Sequence, residues 1–142
     1  MARRHTCEEM MKMHEISNHI GENITIDELY RYRIECGELQ CHRLNAPGGM
    51  AGELLIKVLN DEKALSIEEV FVSRKFRNKG LGSRLLSFAE KTASTLGFRY
   101  VELRPFSTDP LVSDIKLQEW YMNRGYQPDG GKMYKRIMKI SR

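Results

Sequence analysis

Val70-Phe71-Val72-Ser73-Arg74-Lys75-Phe76-Arg77-Asn78-Lys79-Gly80-Leu81-Gly82-Ser83-Arg84-Leu85-Leu86 is the stretch from which the rest of the chain can be read. The apolar, β-branched run that opens it, entered through Ile67-Glu68-Glu69, reads as a buried strand. A basic turn holding Gly80 and Gly82 follows. Then Leu85, Phe88, Ala89, Thr92 and Leu96 recur with helical period. Strand, glycine-bearing turn and helix in that order bring main-chain N–H groups to a helix N-terminus, where the dipole favours an anion. Glycine lets the backbone approach a ligand where a Cβ would stand in the way. Arg74, Lys75, Arg77, Lys79 and Arg84 place positive charge around the same point. The expected ligand is a phosphate or pyrophosphate; the bland alternative is a glycine-rich turn with solvated lysines.

Working outward, Phe98 to Leu103 is the next strand after the helix stops at Gly97, which makes a β-α-β unit with its two strands parallel. Upstream, Gly52 to Leu59 alternates Leu54, Ile56 and Val58 against Glu53 and Lys57, and Asn60 to Lys63 turns the chain into Ala64 to Val72. Leu39 to Leu44 reads as a strand, and Asn45 to Gly49 as a loop. Tyr30, Tyr32, Ile34 and Cys36 alternate with Arg31, Arg33 and Glu35, the pattern of a half-buried strand. Ile24 to Leu29 is ambiguous, since Thr25-Ile26-Asp27-Glu28 could start a short helix. Residues 6–20 read as a helix capped by Thr6 and ended by Gly21. Downstream, Pro105 ends a strand and Asp114 can cap a helix through Met122. Tyr126 begins a strand, and Met133 to Ile140 is the last one, after a turn at Pro128 to Gly131.

The 142 residues fit one domain, with 41% hydrophobic and 30% charged residues, as in ordinary soluble globular proteins. The net charge of +4 is modest and densest at the basic turn, so an anionic small ligand accounts for it as well as nucleic acid does. No apolar run is long enough for a membrane span, and no secretory h-region follows the N-terminal Met-Ala-Arg-Arg-His. Cys7, Cys36 and Cys41 are an odd count without repeated spacing; they fit a reducing cytoplasm, with Cys36 and Cys41 as small core residues on neighbouring strands. The histidines are His5, His14, His19 and His42. His14 and His19 are five apart rather than four, and no metal is expected.

The turn is not a P-loop, because Gly82 is followed by Ser83-Arg84 rather than Lys-Ser/Thr. It is not the dinucleotide fingerprint, because Leu85 stands where a third glycine or alanine belongs. The pattern present, Arg77-x-x-Gly80-x-Gly82, resembles the acetyl-CoA signature of the GCN5-related N-acetyltransferase (GNAT) family. Asp114 to Tyr126 resembles that family's second recurrent segment, with Trp120-Tyr121 at its Phe-Tyr pair, Gly125-Tyr126 at its Gly-Phe pair, Asp114 in place of its Asn and Leu117 in place of its Ala. Met133 to Ile137 is similar to its last strand. The matching segments span residues 65–140; the family's opening strand and helix pair are not evident in residues 1–64.

The resemblance implies an α/β (α+β) fold in one N-acetyltransferase domain over residues 1–142. Its central sheet would be mixed and mostly antiparallel, with a parallel β-α-β pair at the cofactor site and helices on both faces. It implies acetyl-CoA as co-substrate and direct acetyl transfer to a primary amine, on a small molecule or a peptide. The cofactor would lie along Val70, Phe71 and Val72, with its phosphates on Arg77, Asn78, Lys79, Gly80, Leu81, Gly82 and Ser83, and with Asp114 nearby. Tyr121 matches the family's general acid for the departing thiolate. Glu68 or Glu69 would take the proton of the amine, and Glu68 has the strand parity of Val70 and Val72. Dimers occur in the family, no partner membrane or nucleic acid is expected, and the implied location is cytoplasmic. The competing reading is a non-catalytic domain of the same fold that binds a protein or nucleic acid.

Overall fold

In the computed structural model, residues 23–105, 107 and 110–137 are described; the expected helix over 6–20, with Cys7, His5, His14 and His19, lies outside them. Seven strands form one sheet in the order β1-β2-β3-β4-β5-β7-β6. They are β1 Thr25–Ile34, β2 Gly37–Ala46, β3 Gly49–Leu59, β4 Ala64–Val72, β5 Tyr100–Leu103, β6 Gln127–Asp129 and β7 Lys132–Arg136. The described helices are α1, Leu81–Thr95, and α2, Asp114–Met122, with a 3-10 turn over Arg74–Phe76. Every pairing is antiparallel except β4 with β5. The mixed sheet and the parallel β-α-β pair are as expected.

Alternation sets which sheet face is covered. Leu44 on β2, Leu54 and Ile56 on β3 and Leu65 on β4 are fully buried. They form one core with Leu81, Leu85, Leu86, Phe88, Ala89 and Ala93 of α1. His42, the one histidine among the described residues, belongs to that core: its ring lies 4.9 Å from Phe88 and its Nε2 is 2.9 Å from Gln40 Oε1. The helix ends where Gly97 adopts a φ of 78°, a conformation that costs glycine nothing.

One ambiguity is resolved and three expectations are corrected here. Ile24 to Leu29 starts a strand, not a helix; Thr25–Glu28 pair with Asn45–His42 on β2. The register then slips between Glu28 and Tyr30, so Leu29 is an extra residue. That bulge turns Tyr30 and Tyr32 to the face opposite Ile26. The two rings stack on each other at 5.1 Å and are 38% and 59% exposed rather than half-buried in a core. Cys36 sits exposed in the two-residue β1–β2 turn, and only Cys41 is buried. Strand ends differ by a few residues: β3 starts at Gly49, β5 at Tyr100 and β6 at Gln127, while β7 runs Lys132–Arg136, residues 138–140 being outside those described.

Candidate functional site

β4 and β5 are paired only through Ala64–Ile67 and Tyr100–Leu103. Beyond Ile67, β4 continues to Val72 with β3 on one side and, among the described residues, no strand on the other. A cleft of about 850 Å³ opens there. It is lined by Ile67–Val72, the turn residues Arg77, Asn78 and Gly80–Ser83, and Leu117, Trp120, Tyr121 and Arg124 of the α2 segment.

Its floor is the end of the basic turn. Asn78 (φ 63°) and Gly80 (φ 78°) are left-handed and flank Lys79, which is not. Backbone that changes hand in this way directs successive N–H groups toward a common point. Gly80 is the N-cap of α1, and among the described residues no side chain caps this end and no acid stands in its first turn. α2 is the contrast: Ser113 Oγ accepts from the Lys116 N–H at 3.1 Å, and Asp114 occupies the first turn. A helix N-terminus left uncapped among the described residues is suited to an anion.

The structure brings most of the expected site residues together. Glu68, Glu69, Val70, Phe71, Val72, Arg77, Asn78, Gly80, Leu81, Gly82, Ser83 and Tyr121 line the cleft. Lys79 and Asp114 do not. Lys79 is exposed. Asp114 lines a smaller hollow beside Pro105 and Ile115, and its Oδ1 accepts from the Ser107 N–H at 2.9 Å. The helix cap is Ser113 rather than Asp114. Arg77 turns back on its own turn, its Nε donating to the Val72 carbonyl at 2.9 Å.

Gly82 also has a packing reason. A Cβ there would lie 3.3 Å from Trp120 Cζ2 and 3.8 Å from Val72 Cγ2, so the missing side chain admits the indole of α2. The parity of Glu68 is also corrected. The β3–β4 register slips so that Ile67 faces Ile56 and Glu69 faces Leu55, leaving Glu68 as the extra residue. Ile67 and Val70 therefore share the α1-covered face, and Glu68 does not lie with Val70 and Val72. Glu68 Oε2 accepts from Ser66 Oγ at 2.8 Å and its Oε1 is 3.9 Å from Lys57 Nζ. The Glu69 carboxylate has no hydrogen bond among the described residues.

Tyr121 is 6% exposed, between Trp120 (rings at 5.0 Å) and Tyr126 (5.7 Å), both edge-on. Burial pushes its phenol up to about 12, so it keeps its proton throughout the neutral range. Its hydroxyl makes no hydrogen bond among the described residues. Tyr126 behind it is anchored, donating to Glu90 Oε2 at 2.8 Å, with Lys135 Nζ 3.1 Å from Glu90 Oε1. Arg124 was visible in the sequence only as part of the second segment. In the fold it crosses back to α1, its Nε donating to Ser83 Oγ at 2.9 Å, a contact between residues 41 positions apart. Among the described residues no group of three His, Cys, Asp or Glu is placed to hold a metal ion, and no described helix is long and apolar enough to cross a membrane.

A sequence profile described as the acetyltransferase (GNAT) family matches residues 10–126. Among solved structures, the N-acetylglutamate synthase of Neisseria gonorrhoeae, complexed with coenzyme A and N-acetyl-glutamate, is similar with a TM-score of 0.59 and 18% identity, over 70% of this chain and 26% of its own. The PaiA N-acetyltransferase of Thermoplasma acidophilum, in complex with coenzyme A, gives 0.55 and 18% over 68% of this chain and 59% of its own. An acetyltransferase of the GNAT family from Staphylococcus aureus Mu50 gives 0.56 and 18% over 70% and 69%. The chain thus spans about a quarter of the gonococcal synthase and under two thirds of the Thermoplasma enzyme. At these identities the likeness is one of fold. No curated protein matches the sequence.

Proposed function

The chain belongs to the acetyltransferase (GNAT) family, and from that premise we propose that it is an N-acetyltransferase that takes acetyl-CoA in the cleft between β4 and β5 and acetylates a primary amine. The observation that carries the reading is the free edge of β4 beyond Ile67, ending at a helix N-terminus that nothing in the described chain caps. An extended arm with a phosphate at one end suits that combination: main-chain groups for the arm, N–H groups and dipole for the phosphate. The cleft volume is in the range of cofactor-sized sites.

Bound there, acetyl-CoA supplies an acetyl thioester as the electrophile. The chain does the rest. Main-chain N–H groups of Glu69–Val72 that point away from β3 are donors for the carbonyl oxygen as it gains charge. Glu69 takes the proton of the incoming ammonium, directly or through water, because an amine of pKa about 10.4 is almost wholly protonated at neutral pH. We favour Glu69 over Glu68, whose carboxylate is already held by Ser66 and Lys57. Tyr121 donates to the departing sulfur. A phenol near 12 gives its proton reluctantly to a thiolate of pKa about 8.5, so its role is a strong hydrogen bond more than a completed transfer. The test is a screen for thiol release from acetyl-CoA over polyamines, aminoglycosides, amino acids and lysine peptides. Release dependent on one class, with acetyl-amine product by mass spectrometry, is expected. No release above hydrolysis with any class, despite CoA binding, would leave a non-catalytic domain of this fold.

A further inference from the structure

The basic residues that the sequence gathers at the turn are divided by the fold: Arg77 lines the cleft, and others do not. Arg74, Lys75 and Lys79 do not line it, and Arg77 spends its Nε on the Val72 carbonyl. Arg124 does line it, and it is held from three sides. Its Nε donates to Ser83 Oγ and its Nη1 to the Trp120 carbonyl, each at 2.9 Å, and its guanidinium lies over the Trp120 ring, 3.9 Å from the centroid. Trp120 in turn is seated against Gly82. The guanidinium is therefore held over the indole beside the first turn of α1. Nη2 makes no hydrogen bond, and no carboxylate pairs with the group, among the described residues.

We propose that Arg124 is the cleft's built-in anion ligand, its free guanidinium edge taking the diphosphate of CoA beside the Ser83 turn; this rests on the N-acetyltransferase reading above. A half-buried cation bonded only to neutral acceptors is short of a counter-charge, and desolvation by burial lowers its pKa. An arriving diphosphate meets a planar fork whose rotamer is already set, so little side-chain freedom is lost on binding. Ser83 and Trp120 then have a shared role: they hold the arginine that holds the anion.

Calorimetric titration of the whole protein with CoA and, separately, with S-acetylpantetheine, which has the thioester arm without the nucleotide, tests this. Arg124→Met keeps the stem on Trp120 and removes the charge. It should weaken CoA about 10- to 150-fold, the range of a charge-assisted hydrogen bond, and leave S-acetylpantetheine within about twofold. Arg124→Lys should fold and fall between wild type and Met for CoA, since a point charge lacks the fork, and it carries the test if the Met variant does not fold. Unchanged CoA affinity in Arg124→Met would overturn the proposal. So would parallel weakening of both ligands in either variant, which would make Arg124 a structural pin. Failure of the wild-type protein to bind CoA would instead sink the N-acetyltransferase reading, and this inference with it.

Discussion

Tyr121→Phe separates chemistry from packing at one atom. The ring sits between Trp120 and Tyr126 at 5.0 and 5.7 Å, and phenylalanine fills the same space. The hydroxyl has no hydrogen bond among the described residues, so its removal breaks none. Stability at pH 7 should be unchanged or up to about 1 kcal/mol higher, because a desolvated polar group is lost. Turnover is different. A hydrogen bond to a charged acceptor is worth roughly 1.5–3 kcal/mol, which is about 10- to 150-fold in rate. CoA affinity should stay within about twofold. The two proteins should also part at alkaline pH. The folded phenol is raised from 10.0 to about 12, so below pH 10 both folded and unfolded states are protonated and neither protein responds. Between pH 10 and 12 the unfolded tyrosine ionises while the folded one does not. Wild type should then lose stability that the Phe variant keeps, roughly 1–1.5 kcal/mol by pH 11 and approaching 2–3 kcal/mol only above pH 12. Steady-state kinetics, calorimetry and urea melts at pH 8 and 11 read all three. Equal losses of affinity and melting temperature would make Tyr121 a packing residue, and unchanged turnover would assign the proton to water or another group.

Other substitutions probe the frame around it. Glu69→Gln should lower turnover about 100-fold with little change in CoA affinity, and Glu68→Gln much less, as steady-state kinetics at pH 7 will show. Equal effects of the two would remove the preference for Glu69. Gly52→Ala places a Cβ 2.5 Å from the Phe71 carbonyl and 3.2 Å from Leu85 Cδ1, which forces β3 from β4. Urea unfolding should show a loss of about 2–4 kcal/mol, the range of core overpacking and backbone strain. Tyr126→Phe removes the 2.8 Å hydrogen bond to Glu90 and should cost about 1.5–3 kcal/mol by the same assay, in contrast to its neighbour Tyr121.

Periodic features were legible in the sequence because burial repeats with the backbone. Leu54, Ile56 and Val58 mark β3, and Leu85, Phe88 and Ala89 mark α1, all buried on the face expected of them. The bulges were not legible. One extra residue at Leu29 or Glu68 reverses the parity of what lies beyond it, and neither residue type announces a slip. That is why Tyr30 and Tyr32 are exposed and why Glu68 leaves the face of Val70. The packing of Trp120 against Gly82 was not legible, because the two residues lie in separate segments. Arg124 could not be assigned from local pattern, since its partner Ser83 is 41 residues away.

Hydrogen exchange of the whole protein with and without acetyl-CoA tests the central claim most directly, because it reads the main chain that the cofactor is said to occupy. Slower exchange is predicted for the amides of Glu69–Val72 that point away from β3 and for those of Leu81–Ser83, with β1 and β2 unchanged. Protection confined to other segments, or none at saturating acetyl-CoA, would contradict the placement of the cofactor along β4 and at the start of α1.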